Sequence, residues 1–188
     1  MTWKVRRVLT GHDAEGRSTI IADAIAANVK EIPGIPGLAL TDLWETAGAP
    51  ASNEGSADAA ARPVRLEPPP NGTIFRVVEF PPDATWRKRA VGGEEAGGEE
   101  AAREGFDAIG AGHTQDRGSR DAMMHKTSTV DYAIVLKGEI TAVMEKGETL
   151  LRAGDVLVQR GTNHSWSVRG DEPALVAFVL VSASPLKN

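Results

Sequence analysis

Short runs rich in Val, Ile, Leu, Thr and Phe, each closed by glycine or proline, set the pattern of this chain. Such runs read as strands, because branched and aromatic side chains suit a pleated, half-buried surface. Val5 to Leu9 is the first, GHDAEG over 11–16 a turn, and STIIAD a returning strand. EIPGIPG, with Pro33 and Pro36, is an extended connection, and LALTDLWE is a further strand. Residues 47–72, rich in Ala, Gly, Pro, Ser and Asn, form a surface loop, after which TIFRVVEF is a strand closed by Pro81 and Pro82. In the second half TVDYAIVLKGEI, TAVMEKGETLL, GDVLVQRG, HSWSVRG and ALVAFVLVSA follow one another with Gly-containing turns between them. Many short strands and no crossover helices predict an all-β fold, an antiparallel barrel or jelly roll. Residues 83–122 break the rhythm. There Glu99 to Ile109 has helical propensity and stops at Gly110 or Gly112, which predicts a short helical insertion and a possible lid. The whole reads as a single domain over 1–188: N-terminal strands and loops to residue 82, the insertion, and the main barrel over 123–182.

Composition narrows the function classes. The chain has 188 residues, 41% hydrophobic and 25% charged, with a formal net charge of -5. That balance speaks against nucleic acid or an anionic membrane as partner. No apolar run approaches the roughly 18 residues of a membrane helix. MTWKVRRVLTGHD lacks the apolar core of a signal peptide, so a cytoplasmic location is expected. There is no cysteine, which removes disulfides, thiolate metal sites and cysteine nucleophiles. A P-loop, a dinucleotide-binding glycine motif and a GxSxG elbow are also absent from the sequence. The acidic run Glu94, Glu95, Glu99, Glu100 lacks the spacing of a calcium loop and reads as solvated surface.

The candidate chemistry lies in the second half. If residues 125–137 run as one strand, His125, Thr127, Thr129 and Asp131 share a face. Polar groups on an inward face must be satisfied by each other, by water or by an ion. His164 and, two residues on, Trp166 share a face of a later strand, and a barrel can bring this second histidine beside the first. Two imidazoles and the Asp131 carboxylate would then occupy three corners of a metal site with open positions left. Iron(II) suits that set best, and zinc, manganese, nickel and cobalt are physically allowed. Asp131 has other uses: accepting backbone hydrogen bonds, or pairing with an arginine such as Arg160. Thr127 is a pocket hydroxyl rather than a ligand. Tyr132 has the opposite parity and faces away.

These motifs resemble those of the cupin superfamily, of the single-domain conserved-barrel type. The stretch HKTSTVDYAIVLKGE places His125 at the first His of the first cupin motif, Thr127 at its second His, Asp131 at its Glu and Gly138 at its closing Gly. GDVLVQRGTNH places His164 at the second-motif His. The likeness covers Met124 to Val179 most strongly. It departs at Thr127, at the shorter Asp131, and at Gln159 where a turn proline is usual. The resemblance implies a jelly-roll barrel and a variant metal site of His125, Asp131 and His164 holding a divalent transition metal, iron(II) or zinc, with manganese or nickel as alternatives. Asp131 and Thr127 are then the candidates for moving a proton. Thr129, Met124, Met144, Gln159 and Trp166 are expected to line the pocket.

Three functions fit. One is a metal-dependent enzyme on a small organic acid or carbonyl compound, either a dioxygenase or a Lewis-acid isomerase, decarboxylase or cyclase. The second is a barrel that holds a small ligand without turnover, which the missing second histidine favours. The third is a metal-free structural barrel. The partner expected is a small molecule together with a second copy of the chain, a homodimer formed through the N-terminal strands around Trp3, Ile20 and Ile21. His113, in its glycine-rich loop, and His12, in a turn, read as solvated.

Overall fold

The computed structural model describes residues 2–87 and 98–185. Glu94 and Glu95 of the acidic run, and part of the expected lid, lie outside the described residues. Eleven strands and one α-helix are described: β1 Arg6–His12, β2 Ser18–Ile25, β3 Val29–Glu31, β4 Ala39–Thr46, β5 Thr73–Phe80, α1 Gly98–Ala108, β6 Thr129–Lys137, β7 Glu139–Met144, β8 Glu148–Arg152, β9 Val156–Arg160, β10 His164–Ser167 and β11 Ala174–Ser182. A six-stranded sheet in the order β3-β4-β5-β11-β6-β9 faces a three-stranded sheet, β10-β7-β8. β1 and β2 pair only with each other, as a separate ribbon. Every pairing is antiparallel, as in a jelly-roll barrel. No described helix is long and apolar enough to cross a membrane.

The sheets form because alternate positions have one face to bury. On β6 the burial runs buried, half-buried, buried, exposed from Thr129 to Tyr132, and Tyr132 is 48% exposed, facing away from the barrel as its parity predicts. The core between the sheets gathers Ile74 and Val78 of β5, Ala133 and Val135 of β6, Ile140 of β7, Trp166 of β10 and Val176, Phe178 and Leu180 of β11. The turn from β6 to β7 is made by Gly138, at φ +74°, where a β-carbon would lie 2.7 Å from the carbonyl oxygen of Pro173. Only glycine takes that conformation and that approach without strain.

Two expectations are corrected. Glu31, read as the start of the extended connection, is instead the last residue of β3, which pairs with β4 at the edge of the large sheet. The run 125–137 is not one strand: β6 starts at Thr129, and His125 ahead of it bridges elsewhere. The helix stands where it was expected, one residue earlier at each end, and Gly110 follows it at φ +67°. It packs over the barrel interior through Ala101 and Phe106, with Ile109 just past its end. Its close seat depends on Gly105, where a β-carbon would come within 2.7 Å of Ile32 Cγ2.

Candidate functional site

The site begins with an exception in the strand pairing. His125 and His164 form an isolated bridge in which each amide donates to the other's carbonyl, both at 2.9 Å. Such a reciprocal pair sends both side chains to one side of the ladder. The two imidazole rings therefore stand with centroids 4.3 Å apart. Phe106 of α1 lies 5.1 Å from the His125 ring, and Trp166 meets His164 edge-on at 5.9 Å.

The local backbone fixes the tautomers. His125 Nδ1 is 2.8 Å from the carbonyl oxygen of Met123, and His164 Nδ1 is 2.9 Å from that of Thr162. A carbonyl only accepts, so each Nδ1 carries the hydrogen and each Nε2 keeps a lone pair. Neither Nε2 has a hydrogen-bond partner among the described residues. Burial pushes the His164 pKa down to about 3, helped by the nearby His125 charge and opposed by the bond to Thr162. Burial also lowers His125, against the Met123 carbonyl and the charge of Asp121. At neutral pH both rings are neutral bases.

These rings line a cavity of about 100 Å³ between the sheets and beneath α1. Its wall is apolar except for five residues: Arg76, His125, Thr127, Asp131 and His164. The Thr127 hydroxyl shares a 2.7 Å hydrogen bond with that of Thr129. Asp131 is buried, and its Oδ1 has no hydrogen-bond partner. Burial lifts its pKa to about 6, against a hydrogen bond from Thr129 and the charge of Arg76. Its anticipated alternative partner, Arg160, stands opposite Val130 instead.

Of the residues singled out in the sequence, His125, Thr127, Asp131, His164 and Trp166 meet at this cavity. Thr129, Met124, Met144 and Gln159 are not on its wall. Thr129 supports Thr127 and Asp131 from behind. Gln159 donates to the carbonyl of Thr162, bracing the loop that carries His164. Met144 packs against the core and accepts the Thr162 hydroxyl at 3.8 Å. Met124 is buried, but Met123 reaches the cavity, because alternation extends from Thr127 through His125 to residue 123. His113 instead bonds Glu67 at the surface, at 2.8 Å.

One polar wall residue, Arg76, was missed. It is 1% exposed and anchored to Asp42, with Nε 3.0 Å from Oδ1. Its Nη2 donates to the carbonyl of Arg65. Asp42 is held from its other side by Arg62 Nη1 at 3.0 Å. The signal was legible: Ile74, Arg76, Val78 and Phe80 share one parity of β5, and an arginine on an otherwise apolar inward face must have a partner.

The donor set decides whether these residues suit a transition metal. Iron(II) or zinc asks for about three or more protein donors around one point. His125 and His164 supply two, each through an unprotonated Nε2. Among the described residues no three His, Asp or Glu side chains converge on one position, so Asp131 does not complete the set. The residues present do not fit the expected three-ligand ion.

No family model matches the chain. It is 31% identical over 191 residues, 96% of this chain and 80% of the other, to Phomopsin biosynthesis cluster protein C' of Diaporthe leptostromiformis. It is 25% identical over 188 residues, 96% of this chain and 77% of the other, to the cupin-domain-containing oxidoreductase virC of Hypocrea virens. Over 68 residues, 35% of this chain and 38% of the relative, it is 51% identical to Oryzines biosynthesis cluster protein J of Aspergillus oryzae. Among solved structures, the Schizosaccharomyces pombe Cnp3 cupin domain aligns with a TM-score of 0.45 at 11% identity, over 96% of this chain and 89% of that one.

Proposed function

Since this chain belongs to the cupin superfamily, we propose that its barrel cavity is an enzyme-type site for a small, largely apolar organic acid or carbonyl compound, worked by an imidazole pair. The observation that carries this is the pair of free Nε2 lone pairs of His125 and His164 on the wall of an otherwise apolar cavity. Relatives named as cupin-domain-containing oxidoreductases support an enzyme over a structural barrel. Because the donors do not make a three-ligand site, no step in this reading runs through a metal.

What the residues do follows from their state. A neutral, buried imidazole is a poor base while alone, since its cation would be desolvated. A carbonyl compound bound beside it changes that. The proton leaves the carbon next to the carbonyl for Nε2, and the electron pair moves onto the carbonyl oxygen. The new cation and anion then form inside a low-dielectric pocket, where their attraction is strong. A positioned general base contributes a rate factor of about 10² to 10⁴ when its pKa lies near the working pH, and the bound oxyanion raises the ring towards that range. The apolar wall excludes water, and the Nδ1 anchors keep each ring from turning.

The test uses cyclohexanone and 2-hexanone in heavy water. Mass spectrometry should show the hydrogens beside the carbonyl exchanging faster with the protein than in buffer, and a His164→Ala variant should lose the effect. A second reading, a barrel that holds its ligand without turnover, is favoured by the absent third donor. Binding of both ketones with no added exchange would establish that reading and reject the first.

A further inference from the structure

Two buried polar atoms, each on a residue that lines the cavity, have no hydrogen-bond partner. Arg76 Nη1 is a donor without an acceptor, and Asp131 Oδ1 is an acceptor without a donor. Both residues lie almost wholly inside the protein, 1% and 5% exposed. Burying such groups unpaired costs about 1–3 kcal/mol each, and more for charged ones. The sheet places them on one inward surface. Arg76 stands opposite Phe178, and Asp131 opposite Leu180, on the two sides of β11. Their backbones are thus two strand spacings apart, about 10 Å, with one two-residue step along the strand. The arginine side chain spans part of that gap, yet no ion pair joins the two residues. Arg76 is held by Asp42 and the Arg65 carbonyl through Nε and Nη2, which leaves only Nη1 to spare.

We propose that Arg76 and Asp131 together form a specificity-determining oxygen site, which selects an apolar ligand carrying a hydroxyl group. A hydroxyl suits both free atoms at once: its oxygen accepts from Nη1 and its hydrogen is donated to Oδ1. A ketone or aldehyde oxygen satisfies Nη1 alone, and a hydrocarbon satisfies neither. This rests on the reading of the cavity as a ligand site and deepens it. The substrate class becomes a hydroxylated acid or carbonyl compound, its hydroxyl held by Arg76 and Asp131, apart from the groups that work on it. The wall of the sheet and of α1 contributes area, and this one polar pair contributes choice.

The test measures binding of three probes of nearly equal size: cyclohexanol, cyclohexanone and methylcyclohexane, by ligand-observed NMR on the full chain. The wild type should bind the alcohol about tenfold or more above the ketone, since one hydrogen bond to a charged group separates them. The hydrocarbon should bind more weakly than either. Asp131→Asn leaves the Arg76–Asp42 anchor untouched and adds an amide donor. In that variant the ketone should gain on the alcohol and the ratio should fall towards one. Arg76→Lys should weaken both oxygenated probes relative to methylcyclohexane. If that variant does not fold, Asp131→Asn decides alone. A merely structural role would weaken all three probes alike or leave their order unchanged. Equal binding of the three probes to the wild type, or an unaltered ratio in Asp131→Asn, would overturn the oxygen site and leave the ligand-site reading standing. If no probe binds the wild type, both fall.

Discussion

At the scale of single residues, Asp131 and His164 pull the acid stability of the protein in opposite directions. The folded state raises Asp131 from 3.8 to about 6, so it holds that proton more tightly than the unfolded chain does. The resulting stability is present below about pH 4 and is lost as pH rises through 6, a change of about 3 kcal/mol. His164 falls from 6.5 to about 3. Its contribution is present above pH 6.5 and is lost on acidification towards 3, roughly 5 kcal/mol if the shift is complete. Between pH 4 and 6 the two largely offset each other. Asp131→Asn should therefore melt higher than wild type at pH 8 and lose stability more steeply on acidification, while His164→Gln should gain stability relative to wild type as pH falls through 6. Melting curves from pH 4 to 8 that run parallel for all three proteins would refute this. The donor set makes a second prediction. Protein purified without a histidine tag should contain iron, zinc, manganese and nickel at well below one equivalent, unchanged in His125→Ala, by elemental analysis. A near-stoichiometric metal lost in that variant would show that a third donor reaches the imidazole pair. Sequence parity grouped His125, Thr127, Thr129 and Asp131; of these His125, Thr127 and Asp131 line the cavity together with His164, while Thr129 does not. It did not give their separation, because sharing a face fixes direction and not distance. Arg76 went unread because TIFRVVEF was read as a strand without asking which of its positions face inward.

At the scale of elements, α1 and its glycine decide how tightly the cavity is covered. Alanine at 105 would gain about 1 kcal/mol of helix propensity. Its methyl would however meet Ile32 Cγ2 at 2.7 Å, and Ile32 is itself buried. Overpacking of that kind costs about 1–3 kcal/mol, so repulsion wins. Gly105→Ala should lower the free energy of unfolding in urea by about 1 kcal/mol, while a gain in stability would mean that the helix can lift without cost. Most elements were legible, because branched residues between glycine turns permit little else. The exception, β3, is three residues long beside Pro33 and Pro36, and only its pairing with β4 makes it a strand. The start of β6 was misplaced for a related reason. His125 continues the alternation but takes its hydrogen bonds from β10, a choice made by the tertiary fold.

At the scale of the whole molecule, apolar surface remains on the outside of the large sheet. Phe75, Val179, Tyr132 and Val158 form one register row across β5, β11, β6 and β9. Phe75, Tyr132 and Val158 in that row are exposed, as is Val156 nearby. Ile20, Ile21 and Ile25 of the β1–β2 ribbon are exposed as well. Exposed apolar rows of this kind are candidate contact surfaces. The homodimer expected through the N-terminal strands should appear by light scattering at micromolar concentration, and Ile20→Glu with Ile21→Lys should give a monomer. A wild-type monomer would end that expectation. The barrel seam at His125 and His164 has a different consequence, for how this protein can change over generations. The seam is made of main-chain amides and carbonyls, which every residue but proline supplies. The groups that face the ligand can thus be exchanged at both positions while the closure persists, and a lineage can retool the chemistry without first reinventing the barrel.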